Sequence, residues 1–262
     1  MNKKIKITSI NNNLIKELKN YISKNYFFII EGVKIIKDLI NYNYSFDYFL
    51  IDSNKTYEYK NLINAAKVET VIETNKKIIN KFAELVPNSD IIALREISQD
   101  KLNLDLLTNN NIIIYLHRIQ DPGNVGSIIR TCFALSINQI LLSSGCAKPY
   151  NSKVIRASAG TSLLMKINEI NDINEIIGKL KNNDFIVYYA SQKATTLYYE
   201  ADYKKNFLLI LGSEGTGLPN ELISFCDSGL YIPMNKNLES LNVSVCAAII
   251  LFEAYKQRKN KK

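Results

Sequence analysis

The chain has 262 residues, 47% of them hydrophobic, which is enough to bury one large core or two modest ones. Its 33 Lys and Arg against 25 Asp and Glu give a net charge of +8, which favours polyanionic partners such as nucleic acids, although a merely soluble basic protein would show the same excess. The four cysteines form no Cys-x-x-Cys pair and there is a single histidine, so neither a disulfide framework nor a metal site is expected.

The chain shows no targeting or membrane-spanning pattern. The N-terminal segment MNKKIKITSI lacks the apolar stretch and small-residue cleavage site of a secretory signal. No run of apolar residues approaches the length of about 18 that a transmembrane helix needs. We therefore expect a cytoplasmic, reduced protein without membrane association.

The first part of the chain alternates helical and strand patterns. Amphipathic helices are predicted at residues 12–23 and 31–41, and short apolar strands at 46–51, 68–72 and 90–97. These elements predict a small α/β domain over residues 1–100, followed by a polar linker at residues 101–111.

A more regular pattern begins at residue 112. Apolar, β-rich runs occupy residues 112–116, 139–144, 185–190, 207–211 and 229–234, with helical stretches between them. Continuous apolar strands that alternate with helices are typical of a parallel sheet covered on both faces, so residues 112–262 are predicted to form a second α/β domain. The last helix, 243–259, is apolar on nearly every side for three turns and requires burial inside this domain or against a second subunit.

A first motif, Asp-Pro-Gly-Asn-Val-Gly at residues 121–126, follows the strand at 112–116 and opens a helix. Pro and Gly set the turn, and the backbone N–H groups at the helix start can face an anion. Asn124 and Arg130 are six positions apart, which is about 120° around a continuous helix. Asn124 is therefore expected on the turn if both residues reach one site. Taken alone, Asp-Pro-Gly-Asn is most often a plain strand-to-helix turn.

A second motif, at residues 212–217, is rich in glycine and follows a late strand. Its spacing is Gly-x-x-Gly-x-Gly and not the Gly-x-Gly-x-x-Gly of dinucleotide-binding folds. Glu214 inside it can hold a hydroxyl group or orient a neighbouring arginine. A solvated loop acid is the alternative.

A third motif, Ser-Leu-Asn-Val-Ser at residues 240–244, starts the last helix. Ser240 or Asn242 is a natural N-cap. Capping explains one of these residues, but not why three hydrogen-bonding side chains precede so apolar a helix.

In this order and spacing, the three motifs resemble those of the SpoU (TrmH) family of RNA ribose 2′-O-methyltransferases. The resemblance extends to the segment at residues 150–160, between the first two motifs. Residues 12–18 and 28–32 also resemble the small RNA-binding domain of the family, although residues 25–27, Asn-Tyr-Phe, stand where relatives carry extra basic residues.

The resemblance implies an architecture that periodicity does not reveal. It implies an α/β SPOUT domain with a parallel sheet and a deep trefoil knot at its C-terminus, which is an exception to the rule that chains avoid threading. It also implies a homodimer through the C-terminal helix. The N-terminal domain favours ribosomal RNA over transfer RNA as the partner, by analogy with the rRNA-directed members.

The resemblance further implies a chemistry, the transfer of a methyl group from S-adenosylmethionine to a ribose 2′-hydroxyl. The cofactor is expected to be held by backbone at the positions Ala190, Gly212, Ile232 and Leu241. The catalytic group is expected to be Arg130, with four residues orienting it and the phosphate, namely Asn124, Glu214, Ser240 and Asn242. Because a guanidinium pKa exceeds about 12, Arg130 is assigned an electrostatic role and not that of a general base.

Other reactive or charged residues are not expected to take part in catalysis. His117 is expected to be a strand-end residue without a catalytic role, and Cys132 and Cys246 small buried apolar residues. Lys153 and Arg156 are three apart on a predicted helix, where they can meet RNA phosphates or form a solvated face.

Three other functions remain open. One is methylation of transfer RNA, and one is a non-catalytic RNA-binding or ribosome-assembly role on the same fold, against which the presence of Arg130, Glu214, Ser240 and Asn242 argues. The third is a nucleotide-dependent oxidoreductase, which should carry a Gly-x-Gly-x-x-Gly motif at its first strand. Residues 121–126 are no such motif.

Overall fold

The computed structural model describes residues 2–98, 102–103, 112–213, 215, 217–235 and 237–259. The chain folds into two compact units, the first formed by Met1–Gln99 with Tyr150–Leu164, the second by Asp100–Pro149 with Met165–Lys262. Of the predicted linker, only residues 102 and 103 belong to the described part, and the predicted domain limits at residues 100 and 111 stay a prediction.

The first unit is built on a five-stranded sheet; its elements are numbered along the whole chain. The strands are β1 (Lys3–Lys6), β2 (Phe27–Glu31), β3 (Ser45–Asp52), β4 (Lys67–Thr74) and β5 (Ile91–Glu96), in the spatial order β1-β4-β3-β5-β2. The helices are α1 (Asn13–Ser23), α2 (Val33–Asn41), α3 (Lys60–Ala65), α4 (Lys76–Ile79) and α6 (Ser152–Ala157). β1, β4 and β3 run parallel, whereas β5 is antiparallel to β3 and β2.

Both faces of this sheet are buried under apolar side chains. Neighbouring strand residues point to opposite faces, so Ile29 and Ile30 enter two different cores. Ile155 of α6 joins the same core as Ile30, and the ring of Tyr150 stacks on Phe28 with centroids 5.4 Å apart. The segment before and through α6 therefore completes the first unit, although it lies between strands of the second along the chain.

The second unit contains a seven-stranded sheet in which every pair of neighbours is parallel. Its strands are β6 (Ile112–His117), β7 (Gln139–Ser143), β8 (Lys166–Ile170), β9 (Ile186–Ala190), β10 (Thr196–Leu197), β11 (Phe207–Gly212) and β12 (Ser228–Tyr231), in the order β10-β12-β9-β11-β6-β7-β8. The helices are α5 (Pro122–Ala134), α7 (Asn174–Lys181), α8 (Asn220–Ser224) and α9 (Val243–Lys259).

The predicted α/β class with a C-terminal parallel sheet is confirmed. The central strands β6, β7 and β11 are buried almost throughout, because helices cover both faces of the sheet. The strand order does not record how the chain threads, so the trefoil knot stays a prediction. Within the described ranges, every helix is too short or too polar to traverse a bilayer.

The last helix is not buried on all sides of the single chain. One face of α9 contributes Val243, Ala247, Ile250, Leu251 and Ala254 to the interior, and α9 packs against α5. The opposite face leaves Val245 at 45%, Phe252 at 53% and Tyr255 at 37% exposure. Of the two alternatives drawn from the sequence, complete burial inside the domain is thus wrong for this face.

Candidate functional site

The motif residues gather at one edge of the parallel sheet. β11 lies beside β6 in a register that pairs Leu211 with Leu116 and Gly212 with His117. Because both strands run the same way, the chain leaves both at the carboxyl edge. The segment after β6, which carries the first motif, therefore lies beside the loop after β11, which carries the second.

The first motif is a capped helix start. The Asp121 carboxylate accepts a hydrogen bond of 2.8 Å from the Asn124 backbone N–H, and Pro122 is the first residue of α5. Asn124 thus lies in the first helical turn, and the expectation that it lies on the preceding turn is wrong. Since α5 continues without a break to the exposed Arg130, helix geometry directs the two side chains about 120° apart and separates them by about 9 Å along the axis.

Asn242 joins the third motif to the first. Its Nδ2 donates a hydrogen bond of 2.8 Å to Oδ1 of Asn124, 118 positions earlier. Its Oδ1 accepts from the Ser244 backbone N–H at 2.9 Å and from the Ser244 hydroxyl at 2.6 Å. Asn242 is therefore the N-cap of α9, and its amide group bonds at both ends. Ser240 is exposed in the loop before this cap.

In the glycine motif, Ser213 and Gly217 meet at the end of β11. The Gly217 N–H donates to the Ser213 carbonyl oxygen at 2.9 Å, and Gly217 has a left-handed φ of +63°. A Cβ atom on Gly212 would lie 2.8 Å from backbone atoms of Gly217, so this close approach requires glycine. Glu214, which the sequence analysis singled out, lies outside the described residues.

A cavity of about 340 Å³ opens between these segments. Its lining comes from residues 118–121 and Asn124 after β6, from Ser213 and Gly215 after β11, and from Val243 at the start of α9. All three motifs thus contribute to one concave space at the carboxyl edge. Of the predicted catalytic residues, Asn124 lines the cavity. Asn242 is connected to this lining by its hydrogen bond to Asn124.

The positions predicted to hold the cofactor lie at the ends of adjacent strands. Ala190 ends β9 and pairs with Leu230 of β12, while Gly212 ends β11 on the other side of β9. Ile232 directly follows β12 and is buried, and Leu241 is half-buried just before the cap of α9. The three strand ends share one edge of the sheet because all three strands are parallel. The role of the four residues stays a prediction.

His117 ends β6 beside the cavity. Its Nδ1 lies 3.3 Å from the hydroxyl oxygen of Tyr115. Burial, and then repulsion from the guanidinium of Arg118, hold the pKa of His117 below its ordinary value of about 6.5. The imidazole is therefore neutral at physiological pH.

We expect the depressed pKa to make stability depend on pH. A histidine whose pKa is lowered on folding contributes stability above its unfolded value and loses it as the pH falls below about 6.5. His117→Gln should therefore weaken the loss of stability under mild acid while leaving most of any enzymatic rate. His117 is the only histidine, so its NMR titration gives the pKa directly, and a value at or above 6.5 would contradict this account.

The cysteines and the remaining predicted cations have simple surroundings. Cys132 is fully buried, and burial raises the pKa of its thiol to about 12, as expected of an apolar core residue. Cys246 is half-buried, and its thiol donates to the Leu241 carbonyl oxygen at 3.8 Å. Lys153 and Arg156 both lie exposed on α6 of the first unit, so they share a solvated face, and RNA contact through them stays a prediction.

Part of the cavity lining was not predicted from the sequence. Three of its residues were not singled out, although each follows a buried strand closely: Arg118, Gln120 and Ser213. Polar residues directly after neighbouring parallel strands are a usable signal, because these ends share an edge. That signal requires the strand order, which the sequence does not reveal.

The all-parallel sheet makes this an α/β protein, and its cavity, between a capped helix start and a glycine turn, lies at the carboxyl edge, where open α/β sheets commonly bind ligands. A family model, "SpoU rRNA Methylase family", matches residues 111–252, which is more than half of the chain. The protein belongs to the SpoU rRNA methylase family, and the resemblance identified in the sequence is confirmed.

Three comparisons describe its relatives. The chain is 32% identical over 140 residues to the 23S rRNA guanosine 2′-O-methyltransferase RlmP of Bacillus subtilis, covering 53% of this chain and 56% of that protein. It is 31% identical over 162 residues to RlmB of Acinetobacter baylyi, a 23S rRNA guanosine 2′-O-methyltransferase, covering 60% and 65%. The crystal structure of an AdoMet-bound rRNA methyltransferase from Sinorhizobium meliloti has 25% identity, a TM-score of 0.81 and coverage of 97% and 98%.

The matches to curated relatives are partial. The matched stretch spans little more than half the length of RlmP and less than two thirds of RlmB. The structural match, in contrast, covers both units of this chain.

Proposed function

We propose that this protein is an S-adenosylmethionine-dependent methyltransferase that modifies a ribose 2′-hydroxyl in RNA, with ribosomal RNA as the preferred substrate and transfer RNA as the alternative. Membership of the SpoU family and the two rRNA-modifying relatives support the reaction class. The observation that carries the proposal is the 2.8 Å hydrogen bond between Asn242 and Asn124, since it brings the third motif to the first beside a cavity. The net charge of +8 suits a polyanionic substrate.

The residues at the ends of β9, β11 and β12 fit a nucleoside-containing cofactor. The half-buried Leu241 offers apolar surface for a purine ring, while Ile232 and the adjacent strand ends offer backbone groups for polar atoms. Glycine at position 212 lets the backbone of Gly217 approach the end of β11 closely. S-adenosylmethionine, when bound, supplies an electrophilic methyl group. Ala190, Gly212, Ile232 and Leu241 would hold it on one side of β11, with the cavity on the other.

The chain's own residues then prepare the hydroxyl group. An alcohol is a weak nucleophile, so the site must stabilise negative charge that develops on its oxygen. Arg130 stays a cation at neutral pH and, in this proposal, holds the adjacent phosphate and the developing oxyanion while the proton leaves to solvent. Asn124, Asn242, Ser240 and Glu214 orient the hydroxyl and the phosphate in this proposal. Because Asn124 lies on α5, the long side chain of Arg130 must extend along the helix to reach the same site. Lys153 and Arg156 extend the contact to RNA phosphates.

The exposed face of α9 supports a homodimer. Val245 and Phe252 are seven residues apart, and Tyr255 follows three residues later, so the three lie on one apolar stripe. Three large exposed apolar side chains on one helix are typical of a surface that a second subunit covers.

We expect Phe252→Glu to abolish this association, because it places a charge at the centre of the apolar face. In sedimentation velocity, the wild-type protein should have about twice the chain mass of 29.9 kDa and the variant about one chain mass. Phe225→Glu is the matched control, since Phe225 is similarly exposed in the same unit but lies after α8. A wild-type monomer, or a dimeric Phe252→Glu protein, would refute the proposed interface.

The function is tested by transfer of tritiated methyl from S-adenosylmethionine to unmodified RNA, with large ribosomal RNA and transfer RNA separated. A 2′-O-methylated ribose resists alkaline cleavage, so the label should appear in alkali-resistant dinucleotides from ribosomal RNA. Label in transfer RNA alone would reverse the order of the two substrates. Label in alkali-sensitive nucleotides, or none on any RNA or ribosomal particle, would overturn the proposal.

A further inference from the structure

Arg118, the residue directly after β6, has an unusual backbone conformation. Its φ of +54° lies in the left-handed region, which costs a residue with a side chain about 1–2 kcal/mol. Glycine would adopt this conformation freely, yet the position carries a long, exposed cation. Strain of this kind persists where the surroundings hold it, and it is concentrated at functional sites.

The neighbouring strand end holds this conformation in place. The Arg118 backbone N–H donates to Oγ of Ser143, the last residue of β7, at 2.8 Å, and that hydroxyl donates to the Ser144 carbonyl oxygen at 3.0 Å. The carbonyl oxygen of Ile119 accepts from the Ala147 N–H at 3.0 Å. Hydrogen bonds on both sides of the strained residue therefore connect it to the end of β7 and to the segment that follows. Ser143, the partner on one side, is buried. Arg118 is thus preorganised.

Arg118 lies where its side chain can contact a ligand of the cavity. Arg118 lines the same cavity as Asn124 and Ser213. Among the described residues, its guanidinium takes part in no ion pair. The Asp121 carboxylate already occupies the start of α5 in this lining, so Arg118 is the group in the described lining that can attract a phosphate.

We propose that Arg118 is a substrate-binding residue that holds a phosphate of the RNA backbone at the mouth of this cavity. The inference rests on the proposed function, because it takes RNA as the ligand of the cavity. A guanidinium presents a planar fork of donors that matches two phosphate oxygens, and a fixed backbone reduces the freedom lost on binding. Arg118 acts on binding alone, so it contributes to KM and not to the methyl transfer itself.

The test compares Arg118→Gly and Arg118→Lys with Lys204→Ala as a control of equal charge. Lys204 is exposed and precedes β11, so it lies toward the opposite edge of the sheet from the cavity. Binding of an unmodified 23S rRNA transcript is measured without cofactor over a series of salt concentrations. KM and kcat for methyl transfer and the melting temperature are measured on the same proteins.

Arg118→Gly should weaken binding about tenfold and reduce the slope of log Kd against log salt by about one, as expected for one lost phosphate contact. It should raise KM and leave kcat largely unchanged. Its melting temperature should equal or exceed that of the wild type, because glycine relieves the strain. Arg118→Lys, which keeps the charge, should retain the salt slope, and Lys204→Ala should match the wild type.

Three results would overturn the inference. Unchanged binding by Arg118→Gly excludes a phosphate contact, and an equal effect of Lys204→Ala means that both cations belong to a general positive surface. A lower melting temperature with unchanged KM assigns Arg118 a purely structural role. Failure of the proposed function gives a different result, because the wild-type protein would then neither bind nor methylate RNA. That result would overturn the proposed function and this inference together.

Discussion

Replacing Arg130 with Lys should lower kcat/KM for RNA methylation by about 100-fold or more and leave the fold intact. Removing one preorganised donor to a developing oxyanion costs about 100-fold to 1,000-fold in other enzymes. Lys keeps the positive charge but lacks the planar fork that can hold a phosphate and an adjacent oxygen together. Arg130 is exposed on α5, so the exchange removes no buried contact.

The measurement is steady-state methyl transfer together with a thermal unfolding curve for each protein. Arg95→Lys is the matched control, because Arg95 belongs to the first unit and pairs with Asp47 at 2.9 Å, an ion pair that Lys can preserve. Turnover like that of the wild type in Arg130→Lys would eliminate Arg130 as the catalytic group. A rate that rises with pH only in Arg130→Lys would instead assign it proton transfer, since lysine titrates nearer to neutrality.

Asn242→Asp should separate the two roles of the Asn242 side chain, the cap of α9 and the hydrogen bond to Asn124. An aspartate still accepts from the Ser244 N–H and hydroxyl, so the cap of α9 survives, and the helix dipole favours the negative charge. It has no N–H to donate to Oδ1 of Asn124, so the present bond of 2.8 Å is lost, and a bond between the two residues would require the Asn124 amide to flip and donate its Nδ2. We expect stability close to that of the wild type and activity about 100-fold lower.

Two further variants sharpen this test. Asn242→Ala loses the cap as well, and should lower the unfolding free energy by about 1 kcal/mol. Asn124→Ala removes the other partner, so the double variant Asn124→Ala/Asn242→Asp should lose little more activity than either single one. Additive losses would mean that the two residues act independently. Full activity in Asn242→Asp would mean that the bond serves the fold only.

The sequence predicted the buried elements well. The runs at residues 112–116, 139–144 and 207–211 correspond to the strands Ile112–His117, Gln139–Ser143 and Phe207–Gly212, all central in the sheet. A strand buried on both faces is continuously apolar, and this leaves a strong signal.

Most of the missed strands lie at sheet edges and were missed for the converse reason; β2 is the exception, a buried outer strand that was missed despite its apolar sequence Phe-Phe-Ile-Ile. β1, with the sequence Lys-Lys-Ile-Lys, and β8 are outer strands, and their side chains are largely exposed or half-buried. Edge strands tolerate and often favour charged residues, so no apolar run marks them. β10 comprises only two residues, too few for any periodic pattern.

The motifs were visible in the sequence, but their geometry was not. The sequence left Ser240 and Asn242 as equal candidates for the cap, and the hydrogen bonds of the Asn242 side chain assign it to Asn242. It expected Asn124 on a turn, whereas the Asp121 cap brings it into the first turn of α5. Capping depends on where a side chain points, which spacing along the chain does not specify.

The fold class and the residue types at the site could be predicted from the sequence, because burial periodicity and local turn chemistry specify them, and the motif resemblance predicted the family. The contacts between distant segments are visible only in the folded chain: Asn242 with Asn124, Arg118 with Ser143, and α6 with the sheet of the first unit. Each of these contacts depends on strand order and parallel direction. Those are global properties of packing, to which residues far apart in the chain contribute together.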